Sequence, residues 1–303
     1  MGRASADKRP DNGGLPDIRS RAAVVLDART GAEVYGKDAD SVRAIASTTK
    51  IFVAMAVRKK GIELDGWTEI SREDAKAAIG GSRTRLDIGQ SFKNVDLLRA
   101  MLMSSDNRAP TALGRAAGMT PKQLIAAMNG VAKDLGLKKT RFTDTSGLRG
   151  NVSTAREMAL ALRAALTDPV LAEIMGTTTA EVRSKSNYAR IQYNTTNVPM
   201  ILGTYKVAGG KTGFTNAAGY CFITGATVKS RDYLFVFLGA DGKETRFADF
   251  SRAARWLDEG APGAKVAPRA APAKGKRTAT AGERERVSER ERVKVKATGS
   301  ARR

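Results

Sequence analysis

Strand-type runs stand at both ends of this chain and helix-type runs fill its middle, and that order limits most strongly how it can fold. Residues 22–27 (AAVVLD) form a short apolar run with the length of a buried strand. Ala28-Arg29-Thr30-Gly31 reads as a turn, and 32–35 return as the second strand of a hairpin. Far along the chain, 206–212, 220–228 and 233–239 have the length and residue types of adjacent antiparallel strands. Helical patterns lie between. One runs from Ser47 to a stop at Gly61, with Ile51, Phe52 and Met55 as its apolar stripe. Another covers 94–103, and two more cover 110–117 and 121–135, the last with Pro121 behind Thr120 as cap. A further helix starts at a Ser153 cap and runs through 158–166. Residues 247–257 close the pattern with Phe250, Ala254 and Leu257 on one face. One sheet built from both chain ends, with helices between, is an α+β arrangement.

Composition sets the borders of that domain. Residues 1–17 are polar and rich in Gly, Pro and Asp, which predicts a disordered leader. Residues 261–303 are rich in Ala, Pro, Lys and Arg and predict a disordered tail, with a short solvated helix over GERERVSERERVKVK as the alternative. The folded part is then 18–260. The formal net charge is +21, and 261–303 carry 13 Lys/Arg against 4 Asp/Glu, so the folded part is basic as well. Such a surface favours polyanions, whether nucleic acid, lipid heads or wall polymers, without choosing among them. The single cysteine, Cys221, excludes an internal disulfide; its apolar run Tyr220-Cys221-Phe222-Ile223 predicts a small buried hydrophobe rather than a reactive thiol. No run approaches 18 apolar residues, so no membrane-spanning helix is predicted. The first 20 residues contain neither an apolar core nor a small-residue cleavage pattern. That leaves a removed secretion signal, a misplaced start, or a protein that stays inside.

The chain has no histidine, which excludes a Ser-His-Asp triad. It does contain Ser47-Thr48-Thr49-Lys50, Ser105-Asp106-Asn107 and Lys211-Thr212-Gly213 in that order. Ser47 and Lys50 share one helix face, so the amine reaches the hydroxyl. Alone, Ser47 is an ordinary N-cap, and a second copy, Ser5-Ala6-Asp7-Lys8, sits in the leader without such a context. Lys50 can act as a base only if its pKa falls from about 10.4 to roughly 7–8, a change near 4 kcal/mol, which burial and a second cation such as Lys211 would promote. Ser105-Asp106-Asn107 is either a helix-ending turn or a functional loop. In the second case Ser105 relays a proton to the leaving amine, Asn107 holds a substrate amide or Lys50, and Asp106 points away as a spacer. Lys211-Thr212-Gly213 is not a phosphate loop: the first glycine of that pattern falls on Tyr205, and a strand pattern follows. It reads as an edge strand that pairs with an extended peptide, with Lys211 and Thr212 holding a carboxylate and Gly213 leaving room.

These three motifs in this order are the set of penicillin-binding proteins. The span 18–260 resembles a low-molecular-weight penicillin-binding protein, a serine D,D-peptidase. The segments MLMSSDNRAP, GLKKTRFTDTSGL, NVSTAREM, KTGFTNAAGYC and RFADFSRAARWL resemble its D-alanyl-D-alanine endopeptidase branch. The resemblance implies a β-lactamase/transpeptidase-like fold: an antiparallel sheet flanked by helices, an all-helical lobe beside it, and the site between them. It implies Ser47 as nucleophile, Lys50 as its base and Ser105 and Asn107 as assistants. Lys211 and Thr212 would take the carboxylate side, beside Gly213, with the backbone N–H groups of Ser47 and Phe214 as oxyanion hole. Thr145-Ser146-Gly147-Leu148 matches a family segment with a structural role. Two departures stand out. Only 43 residues follow the catalytic region where carboxypeptidase relatives often carry a second β domain, and no E-x-x-x-N pattern occurs over 140–175, so penicillin should acylate Ser47 and leave slowly. The implied reaction is cofactor-free and metal-free hydrolysis of D-alanyl bonds in peptidoglycan. Cross-link endopeptidase action comes first, terminal D-alanine carboxypeptidase action second, and an inactive wall-binding protein is a distant third. The implied partners are stem peptides and, as covalent inhibitors, β-lactams; the tail would meet anionic wall polymers or a membrane surface, with no specific nucleic acid. The implied location is periplasmic or otherwise outside the cytoplasm.

Overall fold

The structure, a computed structural model, describes residues 13–264. The chain opens with the expected hairpin, β1 (Ala22–Asp27) and β2 (Glu33–Lys37), whose turn is fastened by Asp27 accepting from the backbone and hydroxyl of Thr30. A short β3 (Arg43–Ala44) leads to a 3-10 turn at Ala46–Thr49 and then α1 (Lys50–Lys59). Next come β4 (Trp67–Glu69), α2 (Arg72–Ala77), β5 (Ser91–Lys93), α3 (Asn94–Ser104), α4 (Ala109–Ala116) and α5 (Pro121–Asp134). Then follow β6 (Val152–Ser153), α6 (Ala155–Ala165), α7 (Pro169–Met175), β7 (Thr179–Arg183), β8 (Arg190–Asn194) and α8 (Val198–Leu202). The chain closes with β9 (Lys206–Thr215), β10 (Gly219–Val228), β11 (Arg231–Ala240) and α9 (Thr245–Asp258).

The main sheet has the order β2-β1-β11-β10-β9 and is antiparallel throughout, so both chain ends do contribute to it, and β9 lies at an edge. Alternate residues face opposite cores. Val24, Leu26, Cys221, Ile223, Val236 and Leu238 join the core shared with the helical lobe. Ala23, Val25, Phe222, Phe235 and Phe237 join a second core with Phe247, Phe250, Trp256 and Leu257 of α9. Strands covered on both faces lose the polar alternation of half-exposed ones, which is why 22–27 reads as a continuous apolar run.

Several expectations shift. α1 is not a helix with a narrow stripe: Lys50, Ile51, Phe52, Val53, Ala54, Ala56 and Val57 are all buried, because α3, α4, α5 and α6 pack around it. The cap of α6 is Thr154, which accepts from the Glu157 N–H; Ser153 sits one residue earlier, in β6. Thr120 does cap α5, in a reciprocal box with Gln123. The β4–β5 strand pair, the β7–β8 hairpin and helices α2, α7 and α8 have no counterpart in the sequence reading, since each is too short to show a period. Residues 1–12 of the leader and 265–303 of the tail lie outside the described residues. Within the leader, the Gly14 carbonyl accepts from the Trp256 indole at 2.9 Å.

Candidate active site

Two loops in left-handed conformations and one edge strand meet at Lys50. Ala46 has φ 48, and the 3-10 turn that follows places Ser47 one turn before Lys50, the first residue of α1. Neither helix start has a side-chain cap, so Ser47 is not a capping serine here. Its hydroxyl lies 2.9 Å from the Lys50 amine. Ser105, with φ 63, ends α3 and turns the chain so that its hydroxyl accepts from Lys50 at 3.1 Å and its carbonyl at 3.2 Å. Asn107 Oδ1 accepts from the same amine at 2.6 Å. Lys50 is fully buried. Burial pushes its pKa down to about 7, against the carboxylates of Asp106 and Asp144, which favour the charged form. The main cause is therefore desolvation rather than a second cation. Lys211, also buried, is held well below the usual lysine range by burial first and by the Lys50 and Arg246 charges after it.

Asp106 points away from the amine, as expected, but it is more than a spacer. Its buried carboxylate accepts from the Thr84 hydroxyl at 2.6 Å and from the backbone N–H groups of Arg85 and Arg108 at 3.2 and 2.9 Å. It thus fastens the segment 82–86 beside the site. Asn107 adds to this by donating to the Ser82 hydroxyl at 3.2 Å.

On the other side, β9 runs against the turn that carries Ser47. A Cβ on Gly213 would stand 2.9 Å from the Ser47 nitrogen and 3.0 Å from Ala46 Cβ, so the close approach requires glycine. Lys211 and Thr212 are almost fully buried. Lys211 donates to the Thr212 carbonyl at 2.8 Å, and the Thr212 hydroxyl meets that of Thr196 at 2.7 Å. Phe214 is 47% exposed and stacks on Tyr220 with centroids 4.2 Å apart. Arg246, reaching from α9, donates to the Gly213 and Cys221 carbonyls, each at 3.0 Å.

The turn 144–149 forms the floor. The Asp144 carboxylate accepts from the N–H groups of Ser146, Gly147, Leu148 and Arg149. The Ser47 hydroxyl lies 3.4 Å from the Ser146 carbonyl. A Cβ on Gly147, whose φ is +83, would overlap the Ala46 carbonyl.

The structure thus brings Ser47, Lys50, Ser105 and Asn107 into direct contact and lays Lys211, Thr212, Gly213 and Phe214 on the strand alongside. The copy Ser5-Lys8 lies outside the described residues. Sequence reasoning did not single out Ser82, Thr196 or Arg246, which reach the site from separate elements with no fixed spacing to a motif, and it gave the segment holding Ser146 only a structural role. Cys221 is fully buried, and burial pushes its thiol up to about 11, which fits the inert reading.

A family model described as D-alanyl-D-alanine carboxypeptidase matches residues 7–242, and the chain belongs to that family. It is an enzyme, a serine hydrolase. A D-alanyl-D-alanine endopeptidase of Pseudomonas aeruginosa is 34% identical over 255 residues, 83% of this chain and 82% of that one. Its namesake in Escherichia coli is 33% identical over 247 residues, 81% of this chain and 79% of that one. The fold matches the crystal structure of a Streptomyces DD-transpeptidase with TM-score 0.73 at 25% identity, over 80% of this chain and 98% of the other. A Mycobacterium tuberculosis penicillin-binding protein homolog superposes with TM-score 0.75 at 24% identity, over 85% and 95% of the two chains, a likeness of fold.

Proposed function

We propose that this chain cleaves D-alanyl peptide bonds in peptidoglycan cross-links through an acyl-serine at Ser47. The observation that carries this reading is a buried amine, with a pKa near 7, at 2.9 Å from the Ser47 hydroxyl. Uncharged Lys50 takes the hydroxyl proton as Oγ attacks the D-alanyl carbonyl. The oxyanion meets the backbone N–H groups of Ser47 and Phe214, which the tight Gly213 contact keeps side by side. The proton then passes from Lys50 through the Ser105 hydroxyl to the leaving amine, and the C–N bond breaks. Water attacks the resulting ester by the same route in reverse, giving a free carboxylate and regenerating Ser47.

β9, an edge strand, is free on one side to pair with the extended stem peptide. The Thr212 hydroxyl contacts the substrate carboxylate, whose negative charge favours the protonated form of the neighbouring buried Lys211. Asn107 holds Lys50 and the stem amide. The name of the two relatives above favours the endopeptidase reaction over carboxypeptidase action. Such a substrate places the enzyme outside the cytoplasm. β-Lactams acylate the same hydroxyl, and the ester persists because no E-x-x-x-N glutamate stands over 140–175 to activate water against it.

Purified cross-linked and uncross-linked muropeptides, incubated separately with the enzyme, test this. Conversion of dimers to monomers, abolished by Ser47→Ala, is expected. Release of free D-alanine from monomers with dimers intact would shift the assignment to a carboxypeptidase. No change in either substrate would reject a D,D-peptidase.

A further inference from the structure

A cavity of about 140 Å³ lies in the helical lobe beside the catalytic residues, and the reaction as proposed leaves it without a task. Its walls come from separate elements, and three of them lead within a few residues into the site. Leu148 stands two residues after Ser146, whose carbonyl lies 3.4 Å from the Ser47 hydroxyl, and two residues span at most about 7 Å. Thr111, on α4, follows Asn107 by four residues. Ala77 ends α2, five residues before Ser82, whose hydroxyl accepts from Asn107. Ile125 of α5 completes the aliphatic wall. The polar groups of the lining are under-used. Thr145 is 6% exposed, and its hydroxyl has no hydrogen-bond partner among the described residues. The hydroxyl of Thr111, also buried, has only a 3.5 Å bond to the Arg108 carbonyl. Arg149 is exposed. Its backbone bonds to Thr143 and Asp144, but its guanidinium has no hydrogen-bond or ion-pair partner among the described residues. The Asp144 carboxylate borders the same cavity, with its charge taken up by four N–H groups of its own turn.

An aliphatic chamber with two spare hydroxyls inside it and a free guanidinium at its rim suits a short apolar arm that ends in a carboxylate. A cavity near 150 Å³ takes a group of about six heavy atoms, which is three methylenes and a carboxylate. We propose that this cavity receives the carboxylate-ended side chain of the stem-peptide residue that precedes the attacked D-alanine, with Ile125 and Leu148 against its methylenes and Arg149 on its carboxylate. The acyl-serine carries that residue, so its arm starts beside Ser47 and has only the interval to Leu148 to cross. A free carboxylate of the same length shares this chemistry, and the test separates the two sources. The inference rests on the peptidase reading and adds to it a determinant of which stem peptide the enzyme takes.

The test compares the second-order rate constants with which three penicillins on one nucleus acylate the full chain. Their side chains are pimeloyl, ending in a carboxylate, the same chain ending in a primary amide, and acetyl. The pimeloyl acid is expected to react about fivefold faster than the amide, and Arg149→Gln to bring that ratio to about one. Ile125→Trp, which fills the cavity, should slow both long-armed compounds about tenfold relative to the acetyl one. Ratios within one protein cancel any general loss of activity, and if the tryptophan lowers the thermal midpoint, Arg149→Gln decides. Equal rates for acid and amide in the wild type, or a ratio that survives Arg149→Gln, overturn the proposal and leave the peptidase reading in place. So does slowing of the acetyl compound by free pimelate with the acid and amide penicillins equal, which would make the cavity a site for a free carboxylate. Failure of all three penicillins to acylate the protein rejects both readings together.

Discussion

At the scale of single residues, the proposed reaction depends on Lys50 being uncharged. Burial lowers its pKa from 10.5 to about 7, so the fraction able to accept the Ser47 proton rises as pH increases through 7. Stopped-flow acylation by a β-lactam should therefore fall about tenfold per pH unit below 7 and flatten above it. A rate constant flat down to pH 5 would remove Lys50 as the base. The same shift has a linkage consequence. Between about 7 and 10.5 the unfolded chain keeps a proton that the folded chain has released, so this group's contribution to stability rises with pH across that window. Gly147 gives a second prediction. Gly147→Ala drives a methyl into the Ala46 carbonyl at a positive φ, and should slow acylation and cost on the order of 1–3 kcal/mol of stability in urea denaturation. The motif residues were legible because their chemistry is tied to short spacings. Arg246 and Thr196 were not, because each meets β9 only after the chain has folded.

At the scale of elements, the loops around the amine are held by groups that carry no chemistry of their own. Asp106 is the clearest case, since its carboxylate ties 82–86 to the turn after α3. Asp106→Ala should leave those donors without their acceptor, cost roughly 1–3 kcal/mol, and slow acylation through loss of Asn107 and Ser105 positioning. Wild-type acylation together with wild-type stability in that variant would show the tie to be incidental. The long elements were legible to within a few residues. Ser105 in a left-handed conformation is a natural stop for α3, and Thr120 with Gln123 a natural start for α5. The Ser153 expectation failed by one position because two hydroxyl residues stand in succession, and only the geometry shows that Thr154 reaches the Glu157 N–H. The short strand pairs escaped because a three-residue strand such as β4 is defined by its partner rather than by its own pattern.

At the scale of the whole molecule, β1 pairs with β11 across some 200 residues of chain, so the central sheet closes only when both ends are in place. That makes Cys221, buried on β10, a reporter of the entire fold. A thiol reagent at neutral pH should modify it only through unfolding, with a rate that rises with urea as global unfolding does. Rapid modification in buffer alone would contradict the burial described here. The single sheet built from both chain ends was legible from the order of patterns, and the helices on both its faces only through the family resemblance, whereas the depth of α1 was not, because being surrounded is a property of the assembled lobe. The central claim, that Ser47 is the acylated residue, is tested most directly by peptide mass spectrometry of the protein after exposure to a β-lactam. The expected result is one adduct, on the peptide spanning residues 44–50, retained for hours and absent after Ser47→Ala. An adduct on any other residue, or none, would contradict the account.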